Sequence, residues 1–187
     1  VIWAHMDQWE GQKFNVSPGN FYSDVEKIHW DPASGVQCKI VLTKIIPPIT
    51  VPDDTKWVKR IKIKSELLTR FWGHPFYIGA TVLLPKDYDD HPDIFYPVEY
   101  LQEHFSLNAP HGFETEDKPE SDADRARRIR NYDEKGYDFY QAWNSDNFPR
   151  MISVTILHPT PYYDDSYAVN SANNGPYGDA IMNELIP

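Results

Sequence analysis

Met151-Ile-Ser-Val-Thr-Ile-Leu157 decides the fold class, together with the C-terminal stretch Pro161-Tyr-Tyr-Asp-Asp-Ser-Tyr-Ala-Val-Asn-Ser-Ala-Asn-Asn-Gly-Pro-Tyr-Gly-Asp-Ala-Ile-Met-Asn-Glu-Leu-Ile-Pro187. The first run is almost continuously apolar, as a strand covered on both faces of a parallel sheet requires. The second is dense in Tyr, Asn, Asp and Gly, residues that shape loops through their own side chains and backbone freedom. It ends with Ile181, Met182, Leu185 and Ile186 at helical spacing, which predicts a helix over 179–186. A buried strand, a shaped loop and a helix in that order point to an α/β protein.

Earlier segments agree. Residues 1–35 are irregular, with turn signals at Ser17-Pro-Gly-Asn20 and Asp31-Pro-Ala-Ser-Gly35. Val36–Ile46 reads as a strand closed by Pro47-Pro48, which makes Cys38 a core thiol. Val58-Lys-Arg-Ile-Lys-Ile-Lys64 alternates from Arg60 on, so its lysines face outward from a half-buried strand. Phe76–Pro85 and Tyr96–Gln102 are further strands, separated by a polar loop at Asp87–Pro92. Glu114–Asp124 is an acidic, exposed insertion. Ser121 with Asp124 can cap a helix that carries Arg125, Arg127, Arg128 and Arg130, whose charges pair with the acidic run before them. Gly136–Asn144 is a short helix.

The net charge of −10 on 187 residues disfavours nucleic acid, whose phosphates need clustered Lys and Arg, and anionic membrane surfaces for the same reason. No run of about 18 apolar residues is present, so no transmembrane helix is expected. Val1-Ile-Trp-Ala-His5 carries neither an initiator Met nor a signal-peptide pattern, and the chain is expected to begin inside a longer polypeptide. One cysteine excludes an intrachain disulfide. The aromatic content suits core packing first, and sugar or aryl ligands second.

Motifs for self-contained chemistry are missing. None of the serines sits in G-x-S-x-G, and there is no H-E-x-x-H, P-loop, G-x-G-x-x-G or C-x-x-C. No cofactor and no metal are expected. His104 and His111 beside Glu103 have no common ligand spacing, and Asp87, Asp89, Asp90 and Asp93 match a calcium loop only loosely. The richest polar cluster is Tyr162, Tyr163, Asp164, Asp165, Ser166 and Tyr167. It lies just beyond the carboxyl end of a buried strand, where α/β sheets place their ligand crevice. Tyr162, Tyr163, Asp165, Ser166 and Tyr167 are accordingly substrate-wall candidates, although such side chains also fix their own turns.

The motif P-Y-Y-D-D-S-Y-A-V-N-S-A-N-x-G-P-Y-G-D-A-I-x-x-E-L-I-P over Pro161–Pro187 resembles the putative-esterase group of the α/β-hydrolases, the esterase D and enterochelin-esterase-like enzymes. Ser17-Pro-Gly-Asn-Phe-Tyr-Ser23, Phe71-Trp-Gly73, Gly79-Ala-Thr-Val-Leu-Leu-Pro85 and Tyr96-Pro-Val98 with His104-Phe105 extend the likeness over nearly the whole chain. The resemblance implies a β-rich segment over 1–65 and, over 66–187, the first part of an α/β-hydrolase domain. It implies a serine-dependent carboxylic ester hydrolase whose nucleophile, acid and histidine come from downstream polypeptide, acting on a small-molecule or polymer ester in an extracellular or luminal setting. No catalytic triad residue transfers to this chain. Only His104 and Phe105 do, as backbone donors of the oxyanion loop, and Glu103-His104 stands where the pattern has His-Gly. The alternative is a non-catalytic esterase-like module that binds a polymer or partner. A third reading is a metal-dependent hydrolase using His104 and His111.

Overall fold

The computed structural model describes residues 2, 4–6, 18–29, 31–33, 35, 38–48, 50–102, 107–161 and 166–187. The chain divides into two compact units, each assembled from separate stretches: 1–51 with 65–77 and 158–187, and 52–64 with 78–157.

The second unit carries nearly all of a four-stranded sheet. Its strands are β4 (Val58–Ser65), β5 (Phe76–Leu83), β6 (Val98–Gln102) and β7 (Ile152–Leu157), in the order β4-β5-β7-β6. The last strand in sequence therefore sits inside the sheet. It pairs antiparallel with β5, from Gly79 opposite Leu157 to Leu83 opposite Ser153. On its other side it pairs parallel with β6, from Val98 opposite Ile152 to Gln102 opposite Ile156. Val154 and Ile156 are buried on one face, Ser153 and Thr155 on the other. Both faces of the strand are therefore covered, one by apolar side chains and the other by hydroxyl-bearing ones. Pro97 precedes β6, and its carbonyl accepts from the Ile152 N–H at 2.9 Å, which locks the entry of the parallel pair.

An aromatic core lies in the same unit. Helix α3 (Gly136–Trp143) contributes Phe139 and Trp143, which join Trp57, Val58, Leu83 and Phe113. The Trp143 indole N–H donates to the Leu84 carbonyl at 3.0 Å, so its one polar atom is satisfied inside the core. Helix α2 (Asp122–Asn131) buries no residue. Ser121 caps it by accepting from the Asp124 N–H at 3.1 Å, as its position predicts. Arg128 forms a forked pair with Glu120 at 2.9 and 3.1 Å, and Arg127 pairs with Asp124 at 3.3 Å. Arg127 and Arg128 thus serve the local acidic residues.

In the first unit, β1 (His5–Met6), β2 (Phe21–Tyr22) and β3 (Lys44–Ile45) form a small antiparallel sheet. Helix α1 (Glu66–Trp72) packs against a hairpin of β8 (Asn170–Ser171) and β9 (Gly175–Pro176), and against α4 (Tyr177–Ala180). Ser65 caps α1 through the Leu68 N–H, and Glu184 accepts from both the Ser65 hydroxyl and the Leu67 N–H, the latter at 3.0 Å. A carboxylate at a helix N-terminus satisfies orphan donors and meets the positive end of the helix dipole. Tyr177 is fully buried, donates to the Pro159 carbonyl at 2.6 Å, and meets Phe76 edge-on. Burial pushes its phenol well above the ordinary range, so it stays a neutral donor.

Some expectations are corrected. The strand over Val36–Ile46 is only Lys44–Ile45; Val36 and Gln37 lie outside the described residues, and Cys38 is exposed rather than in the core. An apolar run becomes strand only where a neighbouring strand takes its backbone groups, and β2 reaches only Lys44 and Ile45. Ile61 is 44% exposed, so the apolar face expected for β4 is only partly covered. The final helix starts at Tyr177, two residues early, and widens into a π-turn over Ile181–Leu185, with the Ile186 N–H reaching back to the Ile181 carbonyl at 3.0 Å.

The pairing of β4 with β5 requires a glycine. A Cβ on Gly79 would lie 2.4 Å from the Ile61 carbonyl oxygen, a backbone atom that cannot swing away. Gly79→Ala is expected to destabilise the chain by about 3 kcal/mol, read by urea unfolding; a loss under about 0.5 kcal/mol would refute this close approach.

Candidate functional site

Parallel pairing brings the carboxyl ends of β6 and β7, Gln102 and Leu157, to one edge of the sheet. Ligands of open α/β sheets bind outside that edge. Of the residues singled out by sequence, His104, Phe105, Tyr162, Tyr163 and Asp165 lie outside the described residues. Ser166 and Tyr167 are described, and they differ sharply in setting.

Ser166 is 3% exposed. Its N–H donates to the His158 carbonyl at 3.2 Å, and its hydroxyl lies 3.0 Å from His158 Nδ1. His158 is itself buried, as is Thr160. With the Tyr177 bond to Pro159, these contacts tie Ser166 and Tyr177 to the residues that directly follow β7. Ser166 Oγ also accepts from the Ala168 N–H at 3.1 Å. A serine so enclosed cannot approach a substrate carbonyl, so the His158–Ser166 pair holds the loop rather than acting as nucleophile and base.

The next two residues carry strain. Tyr167 and Ala168 have φ of 51° and 54°, and the Val169 N–H closes onto the Ser166 carbonyl at 3.2 Å. Two positive φ values in the centre of a turn belong to the type I′ family, which favours Asn and Gly. For residues with a Cβ the conformation costs about 1–2 kcal/mol each. The result is a Tyr167 ring that is 74% exposed on a tightly held base. Backbone strain of this kind concentrates at functional sites.

A second polar cluster joins β6, β7 and the turn at Pro110–Gly112. His111 Nε2 lies 2.8 Å from Glu99 Oε2, and the Ser153 hydroxyl donates to the same oxygen at 2.9 Å. Glu99 and Ser153 are register partners. The residue types are those of a hydrolytic relay, but the geometry is not. A relay needs one imidazole nitrogen on the acid and the other on the nucleophile. Here Nε2 faces both Glu99 and Ser153, the latter at 3.4 Å, and Ser153 is fully buried. The cluster also lies toward the amino ends of β6 and β7, away from Gln102 and Leu157. Its role is to fasten the turn, where His111 holds φ at 56° and its ring lies 4.8 Å from that of Phe139. His111 thus pairs with a carboxylate, and among the described residues no group of three or more His, Cys, Asp or Glu is disposed to hold a metal.

Sequence reasoning missed His158 and Glu99. The first follows an apolar strand as a single polar residue. The second acquires its partners only through strand register and a turn twelve residues later in sequence. Compared with protein-family models, curated proteins and solved structures, the chain matches none of them.

The hydrogen bond from His111, then that from Ser153, hold the Glu99 carboxyl below the usual carboxylate range. A carboxylate depressed in the folded state stabilises above its unfolded pKa, and that contribution is lost as pH falls through the folded value. Unfolding free energy is expected to drop as pH falls below 4.5, with a smaller drop in Glu99→Gln. Urea titrations of both forms across this window check the point; identical pH slopes would contradict it.

Proposed function

We propose that this chain forms the N-terminal part of a serine-dependent carboxylic ester hydrolase of the α/β-hydrolase type. The observation that carries the reading is the sheet: order β4-β5-β7-β6, with β5 reversed relative to β7 and β6 parallel to it. An α/β-hydrolase sheet opens in this way, with its second strand reversed and its third and fourth exchanged in space. The last residues of β6 and β7, Gln102 and Leu157, then lie at the same carboxyl edge, and in sequence His104 and Phe105 follow the first of them. In such enzymes the loop after the third strand supplies an oxyanion-hole amide, which stabilises the tetrahedral anion by about 3 kcal/mol.

In this reading the chain supplies scaffold, oxyanion loop and a substrate wall at Tyr167, while the nucleophile, acid and histidine come from further polypeptide. Two features support that division. The serines closest to a catalytic arrangement, Ser153 and Ser166, are buried and committed to local hydrogen bonds. The outer strand β6 exposes Val98 and Tyr100, and Phe95 just before it is fully exposed. An apolar sheet edge of this kind is suited to accept a further strand.

The test is labelling of the polypeptide from its source with a fluorophosphonate, followed by peptide mapping. The expected result is one labelled serine within a G-x-S-x-G sequence beyond Pro187, with Ser153 and Ser166 unmodified. Absence of any labelled serine would overturn the enzyme reading in favour of a non-catalytic esterase-like module.

A further inference from the structure

The first unit contains an open concavity of about 370 Å³ lined by Phe71, Asn170, Ser171, Ala172, Gly175 and Pro176. Its residues are not those of the polar loop after β7, and it stands independently of the ester-hydrolase reading. We propose that it is a binding subsite for a neutral carbohydrate ring.

Three observations select that class. None of the lining residues is charged, which disfavours anions and cations alike. Phe71 supplies an aromatic wall that is 42% exposed. It is set rigidly: Gly175, at φ 94°, lies so close to the ring that a Cβ there would sit 2.8 Å from it, and Trp72 meets the ring edge-on at 4.9 Å. The C–H groups on one face of a pyranose carry slight positive charge and pack well on the negative face of such a ring. The third observation is the pair of polar groups. Asn170 Oδ1 accepts from the Asp179 N–H at 3.0 Å, which fixes the amide and leaves Nδ2 without a partner among the described residues. Ser171 Oγ accepts from the Asn174 N–H at 3.0 Å, so its own proton is free to donate outward. An aromatic wall with two oriented donors fits a ring that is apolar on its face and hydroxylated on its rim. An open concavity suits a unit within an oligosaccharide better than a small apolar ligand, which calls for enclosure.

The test is titration of the ¹⁵N-labelled 187-residue chain with xylohexaose and with cellohexaose, followed by amide chemical shifts. One of these neutral oligosaccharides is expected to shift the amides of Phe71 and Asn170–Gly175 at concentrations up to about 10 mM. Phe71→Leu keeps an apolar cover over Gly175 but removes the ring, and Ala172→Glu fills the concavity from an exposed position. Each is expected to weaken binding about tenfold. If Phe71→Leu disturbs the spectrum globally, Ala172→Glu decides alone. No shift with either oligosaccharide, or binding that Ala172→Glu leaves unchanged, would overturn the proposal.

Discussion

The structure depends on β7 being paired on both edges. Its ladder with β5 runs antiparallel and its ladder with β6 runs parallel, so a single strand fixes the direction of its two neighbours. A parallel partner cannot be reached by a tight turn. The chain between β6 and β7 therefore has to travel, and it does so through the Pro110–Gly112 turn, α2 and α3 before returning at Ile152. That return path builds the aromatic core, because α3 delivers Phe139 and Trp143 against Trp57, Leu83 and Phe113. It also brings the His111 turn beside Glu99 and Ser153.

Local signals are readable where one physical factor dominates. The run at Met151–Leu157 has to be buried, and it forms the inner strand. Ser121 has to cap, because an N-cap hydroxyl satisfies a helix N–H whatever lies further away. Gly136–Trp143 carries its aromatics at helical spacing and folds accordingly. Where the outcome depends on a distant partner, the sequence misleads. Val36–Ile46 has strand composition, but among its described residues only Lys44 and Ile45 form a strand, continued by backbone bonds of Ile46 to Gly19 and Asn20. Cys38 is exposed for the same reason: an apolar run without a covering layer is surface. The π-turn at Ile181–Leu185 has no sequence signature, since its apolar spacing is that of an ordinary helix. At the site, residues 162–165 of the polar cluster lie outside the described residues, and the turn at Ser166–Val169 is described. The division of labour within that turn is not legible in the sequence, because burial of Ser166 and exposure of Tyr167 depend on His158 and on the sign of two φ angles.

The two units show one strategy for placing polar groups. Several buried or half-buried polar side chains tie segments together: Ser65 and Glu184 at the head of α1, His158 and Ser166 after β7, Glu99 and Ser153 under a turn. A buried polar group left without a partner costs more than the bond it would make is worth. Pairing these residues locally therefore both stabilises the loops and removes them from chemistry. Two aromatic rings stay exposed near these tied segments, Tyr167 on its strained turn and Phe71 beside the β8–β9 hairpin.

The central claim is the order and direction of the strands around β7, and NMR contacts between backbone protons of neighbouring strands test it most directly. The account predicts parallel-type contacts pairing Tyr100 with Val154 and Gln102 with Ile156, together with antiparallel-type contacts pairing Thr81 with Thr155. Contacts that place β6 against β5, or that run β6 antiparallel to β7, would contradict the account and remove the main support for the hydrolase reading.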